Sequence, residues 1–226
     1  MVKNHSKRIQ ASKTWDIKRK EEVFIVKGNP SGHSEEFGYP LVIIFRDLLN
    51  IARTRKEVRD ILQNQEILVD GIQRKDHKFV VGFMDVISIP KLKKFYRVLL
   101  NKKGKLVLVE TDQEETKPLK IIGKTCIGKK IQLNLFDGKN ILVDKDVYKV
   151  GDSIVYNFVS KKIINHYKFD QGVQIMLIGG KHVGKVAVVE EINGDKMFFK
   201  FNDEVYETSK RYAYVVGKEK PYLKLE

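Results

Sequence analysis

The chain has 226 residues, enough for two or three small domains with buried cores. Lys and Arg number 43 against 29 Asp and Glu, and the resulting charge of +14 points to a polyanionic partner, either nucleic acid or an anionic membrane. A membrane partner is excluded on pattern: unbroken apolar runs such as Leu41 to Phe45 fall far short of the roughly 18 residues of a spanning helix, and the basic N-terminus lacks the apolar stretch of a secretory signal. Secretion is not expected. The one cysteine, Cys126, rules out an intramolecular disulfide and any multi-cysteine zinc site; between Thr125 and Ile127 it reads as a small buried hydrophobe.

The positive excess lies mainly in residues 1–39, 40–100 and 101–170, whereas residues 171–226 hold 9 basic against 8 acidic groups. Within the first 20 residues Lys3, Lys7, Arg8, Lys13, Lys18, Arg19 and Lys20 face Asp16 alone. Such a stretch carries too little apolar surface to offset its ordering entropy. It predicts a basic arm, within an N-terminal segment 1–39, that is disordered alone and orders on RNA. Trp15 stands apart among these cations: it either stacks on a base or anchors the arm onto the chain's own next domain.

From Leu41 the residues Leu41, Ile44, Phe45, Leu48, Leu49 and Ala52 recur at the spacing of an amphipathic helix, with Pro40 at the first turn, where proline is tolerated. A second helix is predicted from Thr54-Arg55-Lys56-Glu57, a capping box in which the Thr54 hydroxyl accepts from the Glu57 amide and the Glu57 carboxylate returns to Thr54. Its apolar face is Val58, Ile61 and Leu62. Arg55 and Arg59 lie four apart on an exposed stripe with Lys56 alongside, and the free amides and dipole of a helix N-terminus favour an anion there. The stripe reads either as solvated surface or as a phosphate-binding face. The charge of the whole chain favours the second, and Arg53, Arg74 and Lys75 are grouped with it. Beyond Ile67 and Val69, Asp70-Gly71 signals a tight hairpin turn, and Ile72, Phe79, Val81, Val86, Ile87 and Ile89 supply strand residues.

Helix, helix and hairpin thus make a compact module over residues 40–100. Thr54-Arg55-Lys56-Glu57-Val58-Arg59 followed by Ile67-Leu68-Val69-Asp70-Gly71 resembles the helical RNA-binding module named after bacterial ribosomal protein four of the small subunit. That module also occurs in RNA-modifying enzymes and tRNA synthetases, so it does not settle the function alone.

Over residues 101–170, apolar stretches at Leu106 to Val109, Ile131 to Phe136 and Ile154 to Phe158 alternate with turn signals at Lys103-Gly104, Asp137-Gly138 and Gly151-Asp152. A small antiparallel sheet or barrel is expected. In residues 171–226, the run from Gly172 to Ile192 reads as two strands around a glycine-rich basic turn, with Lys181, His182 and Lys185 presented from it by Gly179, Gly180 and Gly184. This run resembles the KOW motif of ribosomal proteins and transcription elongation factors, carried in a small five-stranded barrel; an ordinary hairpin loop is the alternative. The turn lacks the Gly-Lys-Ser/Thr ending of a nucleotide-binding loop, so no nucleotide cofactor is implied.

Catalytic chemistry finds little support. His5, His33, His77, His166 and His182 are dispersed without metal-ligand spacing, and Asp137 and Asp152 lie at turn signals where aspartate serves conformation. No catalytic residue, metal ligand, cofactor or small-molecule substrate is expected.

The order of basic arm, helical module, β domain and KOW segment is similar to that of the archaeal and eukaryotic small-subunit ribosomal protein family four, e-type. Local resemblance extends to Lys7-Arg8, Ser12-Lys13-Thr14-Trp15, the Pro30-Ser31-Gly32-His33 turn, Lys220-Pro221-Tyr222-Leu223 and, most specifically, Gly82 to Ile89. A shortened turn before Pro40, Tyr222 in place of a tryptophan and the end at Glu226 depart from the pattern and fit a compact archaeal-type member. The resemblance implies a multidomain α+β fold, a cytoplasmic place in the small ribosomal subunit, and ribosomal RNA and neighbouring ribosomal proteins as partners. The competing readings are a non-ribosomal RNA-binding factor of translation or transcription and, far behind it, an RNA-modifying enzyme.

Overall fold

A computed structural model describes residues 6–112, 115–202 and 204–218. These divide into two compact units, one drawn from Met1–Leu99 and Lys105–Glu114, the other from Leu100–Gly104 and Glu115–Glu226.

The first unit opens with a two-stranded antiparallel ribbon, β1 (Ser6–Lys7) on β2 (Phe24–Ile25). The loop between them is held by Trp15, which is 2 % exposed, packs 5.3 Å from the Tyr39 ring and donates from its indole to the Glu35 carbonyl at 3.1 Å. The Tyr39 hydroxyl accepts from the Asp16 amide and donates to the Leu106 carbonyl, and burial pushes its pKa well above the usual phenol range. The expectation of a structureless arm over the first 20 residues is therefore corrected for residues 6–20: Ala11 and Trp15, with Ile25 beyond them, bury enough apolar surface to order it. Of the two readings of Trp15, the anchor is the one observed.

β3 (Gly38–Pro40) leads into α1 (Leu41–Ile43), a single α-turn that widens into a π-helical turn over Ile44–Leu48, with the Leu49 amide reaching the Ile44 carbonyl at 2.9 Å. Periodicity located this helix but not its early end, which precedes Ala52. The five residues Leu41 to Phe45 are fully buried, so the segment serves as core on every side instead of one stripe. α2 (Arg55–Asn64) follows with the predicted cap: the Thr54 hydroxyl accepts from the Glu57 amide at 3.2 Å, and Val58 and Leu62 face inward.

β4 (Leu68–Val69) and β5 (Ile72–Gln73) form the expected hairpin, with Asp70 and Gly71 both at positive φ, 49° and 73°, as a two-residue primed turn requires. β6 (Val80–Gly82) pairs with β3, while β7 (Val86–Ile89), β8 (Lys94–Leu100) and β9 (Leu106–Glu110) complete a five-stranded sheet of order β5-β4-β7-β8-β9.

The second unit holds two five-stranded sheets. β10 (Thr116–Ile127), β11 (Lys130–Leu135), β12 (Asn140–Val143), β13 (Ser153–Asn157) and β14 (Lys162–Tyr167) are ordered β12-β11-β10-β13-β14 around Leu119, Ile121, Leu133, Leu135 and Ile154. Cys126 is exposed near the end of β10, which corrects the expectation of a buried thiol: β10 runs beyond the core it serves at Leu119 and Ile121. β15 (Gln174–Leu177), β16 (Val186–Asn193), β17 (Lys196–Phe201), β18 (Glu204–Ser209) and β19 (Ala213–Gly217) form the second sheet, ordered β18-β17-β16-β15-β19. Ile175, Val189, Met197, Phe199 and Val215 centre its core.

Candidate nucleic-acid interface

The densest group of unpaired cations in the first unit surrounds the start of α2. Arg53, Arg55, Lys56 and Arg59 are all exposed, and no carboxylate lies within ion-pairing distance of any of them among the described residues. The hairpin side of the module adds His77 and Lys78. The Arg55 guanidinium donates from Nε to His77 Nε2 at 2.9 Å, so His77 accepts there and is neutral in this arrangement. Burial, and then the charges of Arg55, Arg59 and Lys78, hold the His77 pKa below its ordinary 6.5, against the pull of Asp76. Burial is the chief cause, and the positive charges gathered around the imidazole add to it; the same charges are what would attract a phosphate.

The helix terminus contributes less than the sequence suggested. The Glu57 carboxylate accepts from the Arg53 amide at 2.8 Å and from the Thr54 hydroxyl at 3.0 Å, and the first of these contacts is the chief cause of its lowered pKa. A carboxylate at the positive end of the dipole weakens its pull on an anion, and the Thr54 hydroxyl takes the Glu57 amide, so the side-chain cations supply most of the attraction there. Arg74 stacks 4.2 Å over the Phe79 ring, which fixes its orientation, and Lys75 beside it is exposed. Sequence reasoning missed His77, Lys78 and Phe79; Asp76-His77-Lys78 has no periodicity that would have marked it.

The N-terminal cations divide into two kinds. Lys7, Lys13, Lys18 and Lys20 are exposed, with Lys18 paired to Glu21 at 2.8 Å. Arg8, by contrast, is only 3 % exposed; its Nε donates to the Lys18 carbonyl at 2.5 Å and its Nη1 lies 3.3 Å from Glu22. Arg19 donates to the carbonyls of Ile9, Ala11 and Ser12. Both arginines brace the segment internally, Arg8 with almost no surface left for RNA and Arg19 half-buried. Lys3 lies outside the described residues, as does Lys220 to Leu223.

In the second unit the basic turn spans residues 178–185 between β15 and β16. Lys181 is exposed, but His182 packs 4.3 Å from the Tyr206 ring and 5.7 Å from Phe199, and Lys185 Nζ sits 3.2 Å from His182 Nδ1 and 4.4 Å above the Phe201 ring. Burial and the adjacent Lys185 and Lys181 charges lower the His182 pKa. Gly184, at φ 77°, meets its own chain: a Cβ there would stand 1.9 Å from the Asn101 carbonyl oxygen. The close backbone approach that glycine permits is made to the 101–104 turn.

A family model described as "Ribosomal family S4e" matches residues 92–163. Small ribosomal subunit protein eS4 of Methanosphaera stadtmanae is 43 % identical, covering 99 % of this chain and 96 % of its own length. The eS4 protein of Archaeoglobus fulgidus is 40 % identical over 100 % of this chain and 99 % of its own. The crystal structure of the 30S ribosomal protein S4e from Thermoplasma acidophilum superposes with a TM-score of 0.69 at 31 % identity, covering 80 % of this chain and 95 % of that one.

Proposed function

Because this chain belongs to the S4e family of small-subunit ribosomal proteins, we propose that it is a structural, RNA-binding constituent of the small ribosomal subunit. It is a binder and not an enzyme. The observation that carries the reading is the near full-length correspondence at 43 % identity, and the unpaired cations of Arg53, Arg55, Lys56 and Arg59 supply its chemistry. Ribosomal RNA is contacted through phosphate by this face, with Lys75, Lys78 and the exposed lysines of the N-terminal segment extending it.

The sheet from β15 to β19 acts as a KOW-type barrel whose Lys181 faces RNA or a neighbouring ribosomal protein. The four segments 1–39, 40–100, 101–170 and 171–226 serve as N-terminal extension, helical RNA module, central β domain and KOW segment. The particle is cytoplasmic. Sedimentation of tagged chain from cells tests this: a core constituent stays with the small subunit after a high-salt wash, whereas release into the supernatant would make it a transient factor.

A further inference from the structure

Beside the phosphate-binding face, and sharing Lys78 with it, the first unit holds an open cleft of about 470 Å3. Its volume suits a small organic group, within the general range of about 300 to 1,000 Å3 for ligand pockets. Trp15, Pro30, Pro40 and Val80 contribute its apolar lining, beside the polar Asn29, Ser31, His33 and Glu35. Lys27 and Lys78 stand on the rim, and neither ammonium has a carboxylate within ion-pairing distance among the described residues. Apolar groups that accept a ring, polar groups that bond its edge and unpaired cations that hold a phosphate are together what a splayed nucleotide needs, and Glu35 in the lining favours a base edge that donates.

One wall carries a polar atom with no partner. His33 packs against Gly82, where a Cβ would lie 2.1 Å from its ring, and its Nε2 is 3.0 Å from Asp85 Oδ2. The Asp85 oxygen also accepts from the Gly82 amide at 2.9 Å, which locks the pair. With Nε2 donating to a carboxylate, Nδ1 is the acceptor, yet it is enclosed and lacks any hydrogen-bond partner. Lys78 ties the cleft to the phosphate-binding face, because its charge acts on His77, which itself bonds to Arg55.

We propose that this cleft takes a single unpaired ribonucleotide, splayed from the RNA whose phosphates lie on the α2 face, with its base between Pro30, Pro40 and Trp15 and its phosphate on Lys27 and Lys78. The proposal rests on the RNA-binding reading above. The chain has one tryptophan, Trp15, so its fluorescence reports this cleft alone.

The test titrates the full chain with single-stranded oligoadenylate and oligouridylate of about ten nucleotides, with the matching duplex, and with inorganic phosphate. Single strands should change Trp15 emission saturably; duplex and phosphate should not. Ser31→Tyr, which fills the cleft from an exposed loop residue, should weaken single-strand binding roughly tenfold or more, and Lys27→Ala with Lys78→Ala should flatten the salt slope by about 0.7 for each lysine. Melting curves establish that each variant is folded before its affinity is read. Equal responses to duplex or to phosphate would overturn the proposal, as would a folded Ser31→Tyr chain with wild-type affinity. If small-subunit ribosomal RNA binds tightly while Trp15 stays silent, the cleft proposal fails and the ribosomal reading stands. If the chain binds no ribosomal RNA at all, the ribosomal reading itself fails.

Discussion

Replacing Arg55, Lys56 and Arg59 together with alanine tests the phosphate-binding face most directly. None of the three is paired with a carboxylate among the described residues, so each is free to displace a counterion from RNA. Each lost contact lowers the slope of log affinity against log salt by roughly 0.7 to 0.9, which predicts a total loss of about 2 to 2.7. Between 50 and 200 mM salt the wild type should then lose roughly 20- to 40-fold more affinity than the variant. Filter binding or anisotropy with small-subunit ribosomal RNA across a salt series measures both slopes. A charge-matched control, Lys94→Ala, Lys196→Ala and Lys210→Ala, removes three cations that Glu110, Glu207 and Asp195 already pair with. It should change the slope far less. Parallel slopes for wild type and the α2 variant, or equal effects of the variant and its control, would refute a local interface and leave only net charge.

Three further outcomes follow from the geometry. A phosphate docked beside Arg55 and Arg59 offsets the charges that help burial to lower the His77 pKa, so RNA should raise its titration point and affinity should increase as pH falls toward that lowered pKa, measured by NMR and by binding. Lys120 is buried with its ammonium donating to the Arg211 carbonyl, and burial lowers its pKa to about 8 from the ordinary 10.5. The unfolded chain holds this proton to higher pH than the folded one, so stability rises between about 8 and 10.5 by up to roughly 3 kcal/mol; Lys120→Met should remove that rise in urea titrations and, after losing one hydrogen bond, gain roughly 1 to 2 kcal/mol at pH 7. Gly184→Ala places a Cβ 1.9 Å from the Asn101 oxygen at a positive φ, which predicts a loss of roughly 3 kcal/mol or more in chemical denaturation with the α2 salt slope unchanged.

Where structure depends on neighbours in sequence, the reading from residues alone succeeded. The Thr54 cap and the Asp70-Gly71 turn are local chemistry: a hydroxyl reaching an amide three residues on, and two residues at positive φ. The family was legible for a related reason, since the stretches from Thr54 to Arg59, Gly82 to Ile89 and Gly172 to Ile192 carry their pattern in order along the chain.

Composition was a poor guide wherever a distant residue decided the outcome. Arg8 and Arg19 read as RNA-binding cations, yet carbonyls and carboxylates brought close by folding absorb them. Cys126 read as buried, but β10 extends past its core. Trp15 was ambiguous until Tyr39 and Glu35 met it. The cleft had no signature at all, because it is made where the Pro30 to His33 turn meets Gly82 and Lys78, segments about fifty residues apart in sequence. Charge, periodicity and caps are properties of the chain and are written in it; which cations stay free and which walls face each other are set by long-range contacts, and only the tertiary structure supplies those.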